Sequence, residues 1–388
     1  MIVVCEPLCR GFVHSDVNAA LISVLKNLSL GEDLIYVGED EHIRLVAERL
    51  KEYGIEGIKC HPVSVPTTRN TVRKLMTYIR ICREVLSLAS TAKADLVVFS
   101  DVDGPSLIAY KLLSCVRKTP KCIAVIHGVL ATIMKRPANS FKHLFWFRRA
   151  LMWRNDPKLC YLVPGEPIRE SLVGKLPSLA PYVIHLDLPC LFADPEEREP
   201  FAGGVVRIGC FGVGHSDKGT TLLFEMAERI ESLRPGSKVE FVLVGHIVDK
   251  RLKGIPFGRV SVPSPNEPMS REEYERTIKN MDYAIFFHRA DEYDLRASGT
   301  LFDAFSHVKP LIALSTPLFE YYVRRFGDIG YLCRDLDQMR DKILEILETL
   351  PVDDYNRQRQ NILRGRKSMS KAELGRQLAD ALRGRDWI

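Results

Sequence analysis

The sequence predicts an α/β protein built from two parallel-sheet domains, on three observations. Short apolar runs alternate with amphipathic helical runs along the first half of the chain, and the alternation begins again at residue 205. Such alternation specifies a parallel sheet covered by helices on both faces. Between the two series lies 188–204, a stretch rich in proline, glycine and charge that reads as a linker. The chain has 388 residues, more than one core usually holds. The expected division is a first domain over 1–187, the linker, a second domain over 205–365, and a C-terminal helix over 366–388 that packs back on the first domain. Two sets of strand ends then face a cleft, and ligands of such sheets bind at the carboxyl ends of the strands.

In the first half, Ile2–Cys5 reads as a strand, too soon interrupted by Glu6-Pro7 for a signal peptide. Further strands are expected at 34–37, 57–60, 95–100, 122–126, 159–163 and 182–185, with helices at 14–28, 41–53, 71–89 and 105–116. Three strand ends carry chemistry. The loop after the first holds Gly11, which supports a tight turn facing a ligand but is not part of a G-x-G-x-x-G dinucleotide fingerprint. The fourth ends in Asp101-Val-Asp103-Gly-Pro105. Asp103 can cap the helix that Pro105 opens. Alternatively the two aspartates hold a divalent metal against a diphosphate, or one serves as general base towards an acceptor hydroxyl. The fifth ends in His127-Gly128, where the imidazole can donate a hydrogen bond to a sugar hydroxyl or be satisfied locally.

Composition narrows the class. Hydrophobic content of 46% and charged content of 27% describe a soluble globular protein, and no run of about 18 apolar residues marks a membrane span. Ten cysteines lie scattered without a C-x-x-C pair, several inside apolar runs, which is reduced, cytoplasmic usage rather than a disulfide framework or a zinc site. The net charge of +6 suits an anionic ligand or membrane face, and no nucleic-acid signature is present. At 135–154 basic and aromatic residues interleave on an expected helix. Either this is a core helix with a basic solvated face, or it lies on an anionic membrane surface, placing the protein peripherally at the inner face.

In the second half, strands are expected at 205–211, 239–244, 260–262, 283–287 and near 329–333, with helices at 220–233, 270–280, 319–326 and from 335 to the end. Ser270 to Glu273 and Ser370 to Glu373 are capping boxes. The turn Phe211-Gly212-Val-Gly214-His-Ser-Asp217-Lys218-Gly219 follows the first of these strands. Asp217 stands where a dinucleotide fingerprint needs its third glycine, and the spacing is not that of a P-loop. What remains is a glycine turn that sets Lys218 at a helix start, where it can neutralise a phosphate. Arg296-Ala-Ser298-Gly299-Thr300-Leu-Phe-Asp303 through Ala313 reads as a small-residue turn, a short helix and a buried strand. Ser298 and Thr300 can cap that helix, and Gly299 lets the backbone approach a ligand. Free amides at a helix start, with Asp303 a turn in and Arg296 just upstream, suit an anionic ligand that carries hydroxyls.

With Gly212…Lys218-Gly219 and Phe302-Asp303-Ala304…Lys309-Pro310 in place, the second half resembles the retaining, nucleotide-sugar-dependent branch of the GT-B glycosyltransferases, a fold of two Rossmann-like domains facing a cleft. Asp282 before its strand also matches, and the first half follows more loosely through the Gly11 loop and His127-Gly128. The resemblance implies a transferase that moves a sugar from a nucleotide-sugar donor to a glycan or lipid-linked acceptor, in polysaccharide or glycoconjugate synthesis. By position it implies that Lys218 contacts the donor diphosphate, the amides of Ser298, Gly299 and Thr300 cradle it, and Asp303 accepts from the ribose hydroxyls. It further implies that His127 touches the donor sugar beside the Gly11 loop, and that no metal is needed. The chain departs from the family at Val213, where an arginine is usual, so Arg296 or Arg289 would supply that charge. It departs again at Leu295, where an acid is usual, with Asp294 and Glu292 nearby. These departures keep an inverting enzyme open, with Asp101, Asp103 or Glu6 as base. They also leave a metal-dependent transferase using Asp101 and Asp103, a nucleotide-sugar epimerase on the same fold, and a non-catalytic nucleotide-sugar or membrane-binding module.

Overall fold

The computed structural model describes residues 1–388 except 29–32, 69, 193, 196–197, 253 and 290–292, with the backbone alone for 140–141. Glu292 and three linker positions of the sequence reading lie outside the described residues. The chain forms two compact units, the first made of Met1–Leu191, Leu295–Ala297 and Met369–Ile388, the second of Phe192–Asp294 and Ser298–Ser368.

The first unit holds β1 (Ile2–Cys5), β2 (Leu34–Gly38), β3 (Lys59–Pro62), β4 (Leu96–Phe99), β5 (Lys121–Val125), β6 (Leu159–Pro164) and β7 (Val183–Leu186). They form one sheet in the order β3-β2-β1-β4-β5-β6-β7, parallel throughout. Ile2 is paired with Leu34 on one side and Leu96 on the other, so the winding reverses between β1 and β4. The crevice beyond those two carboxyl ends is where a doubly wound sheet binds ligands. Alternate residues serve opposite faces. Val3, Cys5, Val97 and Phe99 pack with helices Thr71–Thr91 and Gly104–Ser114, whereas Ile2, Val4, Val98 and Ile123 pack with Ser15–Leu25. The second of these clusters also takes Leu374, Leu378, Leu382 and Trp387, so the C-terminal helix Lys371–Arg383 packs on the first unit, as expected.

The second unit holds β8 (Val206–Phe211), β9 (Val239–Val244), β10 (Val260–Ser261), β11 (Tyr283–Phe286), β12 (Leu311–Leu314) and β13 (Gly330–Cys333). Their order is β10-β9-β8-β11-β12-β13, again parallel, with the reversal between β8 and β11. Gly212 follows directly on the carboxyl end of β8, which places the glycine turn at the second crevice.

Three local expectations change. β3 begins at Lys59 rather than Gly57, whose φ of 75° is incompatible with a strand. The first helix begins at Ser15, because His14 adopts a left-handed conformation with φ 59°. The 135–154 segment is two short helices, Ser140–Leu144 and Phe147–Met152, instead of one. Trp146 separates them in an extended conformation with ψ 129°. Among the described residues no helix is long and apolar enough to cross a membrane.

Candidate functional site

In the second unit the turn after β8 is fixed from beneath by a charged network. Asp249 accepts from Ser216 N at 3.1 Å and Ser216 Oγ at 2.6 Å, and its two oxygens take Arg251 Nε at 3.0 Å each. Those donors hold its carboxyl well below the usual carboxylate range. Gly219 has φ 77°, and a Cβ there would stand 2.4 Å from Phe287 Cβ, so only glycine lets the turn lie against the end of β11.

Lys218, Gly212 and Thr300 meet at this point. Gly212 has φ 87°, and a Cβ on it would stand 2.7 Å from Thr300 Cγ2 and 3.6 Å from Lys218 Nζ. The ammonium is thus beside the first turn of helix Gly299–Ser306. Ser298 occupies the N-cap position, yet its side chain does not cap. Its Oγ lies 3.1 Å from Thr300 Oγ1, so the expected side-chain cap is replaced by a hydroxyl pair. Amides of the first turn are thereby not used by that serine. Asp303, one turn in, accepts from Tyr274 Oη at 2.8 Å. His288, just past β11, stacks on Tyr293 with centroids 3.7 Å apart, and its Nδ1 is buried without a hydrogen-bond partner. Burial, with the Lys218 charge adding to it, pushes its pKa down to about 3, so the imidazole is neutral.

Arg296 falls in Leu295–Ala297, which clusters with the first unit. Leu295 is buried in the first unit's apolar core, with Ala297 packed against it. This accounts for the leucine where the resembling family carries an acid: a carboxylate there would enter an apolar core without water.

In the first unit the crevice between β1 and β4 gathers a second set of groups. Glu6 is fully buried and accepts from Leu8 N, Cys9 N, Asn18 Nδ2 and Ser100 Oγ at 2.8–3.0 Å. Those bonds hold the loop after β1 in place. Gly11 is fixed from the other side, its N donating to Glu39 Oε2 at 3.2 Å and its carbonyl lying 2.6 Å from His42 Nδ1. The loop brings Cys9 Sγ to 3.5 Å from His14 Nδ1, and that nitrogen lies 3.9 Å from Asp101 Oδ2. The other Asp101 oxygen accepts from Val102 N at 2.8 Å. Burial first, then the neighbouring Glu6 charge, pushes the Asp101 carboxyl up to about 7. His127 places its Nε2 3.0 Å from Ser100 O, and its ring lies 5.4 Å from that of His14. Burial lowers the pKa of both imidazoles.

Asp101 and Asp103 do different work. Asp103 Oδ1 accepts from Ser106 N at 2.9 Å, and Ser106 Oγ accepts from Asp103 N at 2.8 Å, a complete capping box. Its other oxygen lies 3.5 Å from Tyr78 Oη and 4.0 Å from Lys74 Nζ. The cap reading therefore describes the local geometry of Asp103, while Asp101 alone turns to the imidazole. Sequence reasoning passed over His14, Cys9, His288 and Tyr274. A histidine at a strand end was the signal that singled out His127, and it applies equally to His288.

No protein-family profile matches the sequence, and no curated protein matches it significantly. Solved structures do match. The lipopolysaccharide outer core galactosyltransferase WaaB is 14% identical over 99% of each chain, with a TM-score of 0.64. Anabaena HepE, solved in complex with UDP-glucose, is 12% identical over 99% of each chain, with a TM-score of 0.63. A Listeria monocytogenes protein provisionally named UDP-N-acetylglucosamine 2-epimerase is 12% identical, covering 99% of this chain and 96% of its own, with a TM-score of 0.56. Likeness at such identities speaks for architecture, and with the two reversed parallel sheets it shows that this chain has the GT-B fold.

Proposed function

We propose that the protein is a glycosyltransferase that moves a sugar from a nucleotide-sugar donor to a glycan or lipid-linked acceptor, in polysaccharide or glycoconjugate synthesis. The observation that carries this reading is the meeting of Lys218, Gly212 and Thr300 at the start of helix Gly299–Ser306, with Asp303 one turn in. An ammonium and a helix N-terminus together stabilise a departing diphosphate as its charge develops, so no metal is required for that task. Asp303, already oriented by Tyr274, accepts from ribose hydroxyls. UDP-glucose bound to HepE, on the same fold, supports a nucleotide-sugar partner.

The 135–154 segment supports a peripheral position at the inner membrane face in a cytoplasmic protein. Lys135, Arg136, Lys142, Arg148, Arg149 and Arg154 carry six positive charges there, with no acid among them. Leu144 is 53% exposed, and Arg148 lies over the Trp146 ring. Pelleting with anionic liposomes, with Trp146 and Arg149 replaced, tests it; equal pelleting of variant and wild type removes the membrane reading.

A panel of nucleotides and nucleotide sugars in thermal-shift assays, with and without Lys218→Ala, tests the donor site, since ligand binding raises the apparent melting temperature. A nucleoside diphosphate shifts the wild type and not the variant. No shift, or an equal shift, overturns the assignment. The epimerase reading, favoured by the Listeria neighbour, predicts an altered sugar released without any acceptor. A non-catalytic module predicts binding with no turnover.

A further inference from the structure

We infer that Cys9, His14 and Asp101 form a binding site for a soft divalent cation of the zinc class, in the first unit at the carboxyl ends of β1 and β4. Their three donor atoms, Cys9 Sγ, His14 Nδ1 and Asp101 Oδ2, lie within 4.8 Å of one another. Two of the separations are 3.5 and 3.9 Å. A tetrahedral zinc ion with bonds of about 2.0–2.3 Å sets its ligands roughly 3.3–3.7 Å apart, so small side-chain adjustments close the set. One thiol, one imidazole and one carboxylate are zinc ligands, and three protein ligands leave a fourth position for water.

Two features of the surroundings favour a cation here. The crevice is electronegative: Glu6 is fully buried and Asp101 is mostly so. Among the described residues neither forms an ion pair with lysine or arginine. The nearby basic chains are engaged elsewhere, Arg10 towards Glu39 and Lys74 towards Asp103. A divalent ion would offset the two carboxylates directly. The ligands are also held in position. Glu6 Oε1 accepts from the Cys9 amide at 3.0 Å, Val102 N holds the far oxygen of Asp101, and His14 keeps a left-handed backbone that turns its ring towards Cys9. Outer bonds of this kind orient metal ligands.

The Cys9 thiol gives up its proton when it ligates a metal ion. Binding therefore strengthens with rising pH. The site does not depend on the transferase reading, and its test is spectroscopic.

The test titrates Co²⁺ into reduced protein carrying Cys60→Ser and Cys115→Ser, which removes the two exposed thiols. One equivalent should produce a thiolate-to-cobalt charge-transfer band and the visible bands of a tetrahedral site, and Zn²⁺ should displace it. Adding Cys9→Ser should abolish the charge-transfer band. His14→Asn, which tolerates the left-handed backbone, should weaken binding at least tenfold. Unchanged melting temperatures without metal would show that both variants fold. No charge-transfer band in the parent protein, or a band that survives Cys9→Ser, overturns the site.

Discussion

His14 Nδ1 lies 3.9 Å from Asp101 Oδ2, although the two residues stand on separate loops, one after β1 and one after β4. Parallel pairing of β1 with β4 brings the loops after both strands to the same crevice. Burial first, then the neighbouring Glu6 charge, lifts the Asp101 carboxyl to about 7.

The same shift has a stability signature. A carboxyl raised from 3.8 to about 7 binds more protons folded than unfolded between those values, so stability falls as pH rises through that window. Asp101→Asn removes the cost of an ionised buried carboxylate. Urea unfolding should show the variant more stable than wild type by about 1–4 kcal/mol at pH 8, an advantage that shrinks as the pH falls and vanishes only below about 4.

Gly212→Ala tests the donor turn separately from Lys218. The added methyl would stand 2.7 Å from Thr300 Cγ2 at a backbone φ of 87°. Stability should drop by roughly 1–3 kcal/mol. Because Thr300 and Lys218 are displaced together, a nucleoside diphosphate should no longer raise the variant's melting temperature.

Tyr274→Phe keeps the ring and removes the donor to Asp303 Oδ2. The expected stability loss is about 1 kcal/mol. Affinity for a nucleotide should fall more than affinity for inorganic pyrophosphate, which has no ribose for Asp303 to hold. Calorimetric titration of both ligands checks this.

Lys111 is buried at 1% exposure and lies 2.7 Å from Ala150 O, 3.3 Å from Leu151 O and 2.8 Å from Asn155 Oδ1, and it also reaches Trp153 O. It satisfies the last carbonyls of helix Phe147–Met152. Lys111→Met leaves them buried and unpaired. The expected loss is about 2–5 kcal/mol, read from denaturant unfolding. Liposome binding by the basic segment, if it depends on that helix, should weaken as well.

Much of the architecture is determined by the sequence alone, because alternation of apolar strands and amphipathic helices is a local pattern with one economical solution, a covered parallel sheet. The glycine turn ending in Lys218 and the small-residue turn before Asp303 were legible for the same reason: their backbone requirements are written in adjacent residues. The tertiary structure decided which side chains meet. Strand order brings Cys9 and His14 of one loop to Asp101 of another, and sets Gly212 against Thr300, contacts between residues far apart in sequence. It also decided between open readings. Ser106 shows Asp103 as a cap, the apolar core around Leu295 explains a missing acid, and Trp146 breaks a segment that periodicity alone would have kept as one helix. Burial and charge at a point in space depend on every element packed around it, and no window of sequence contains them.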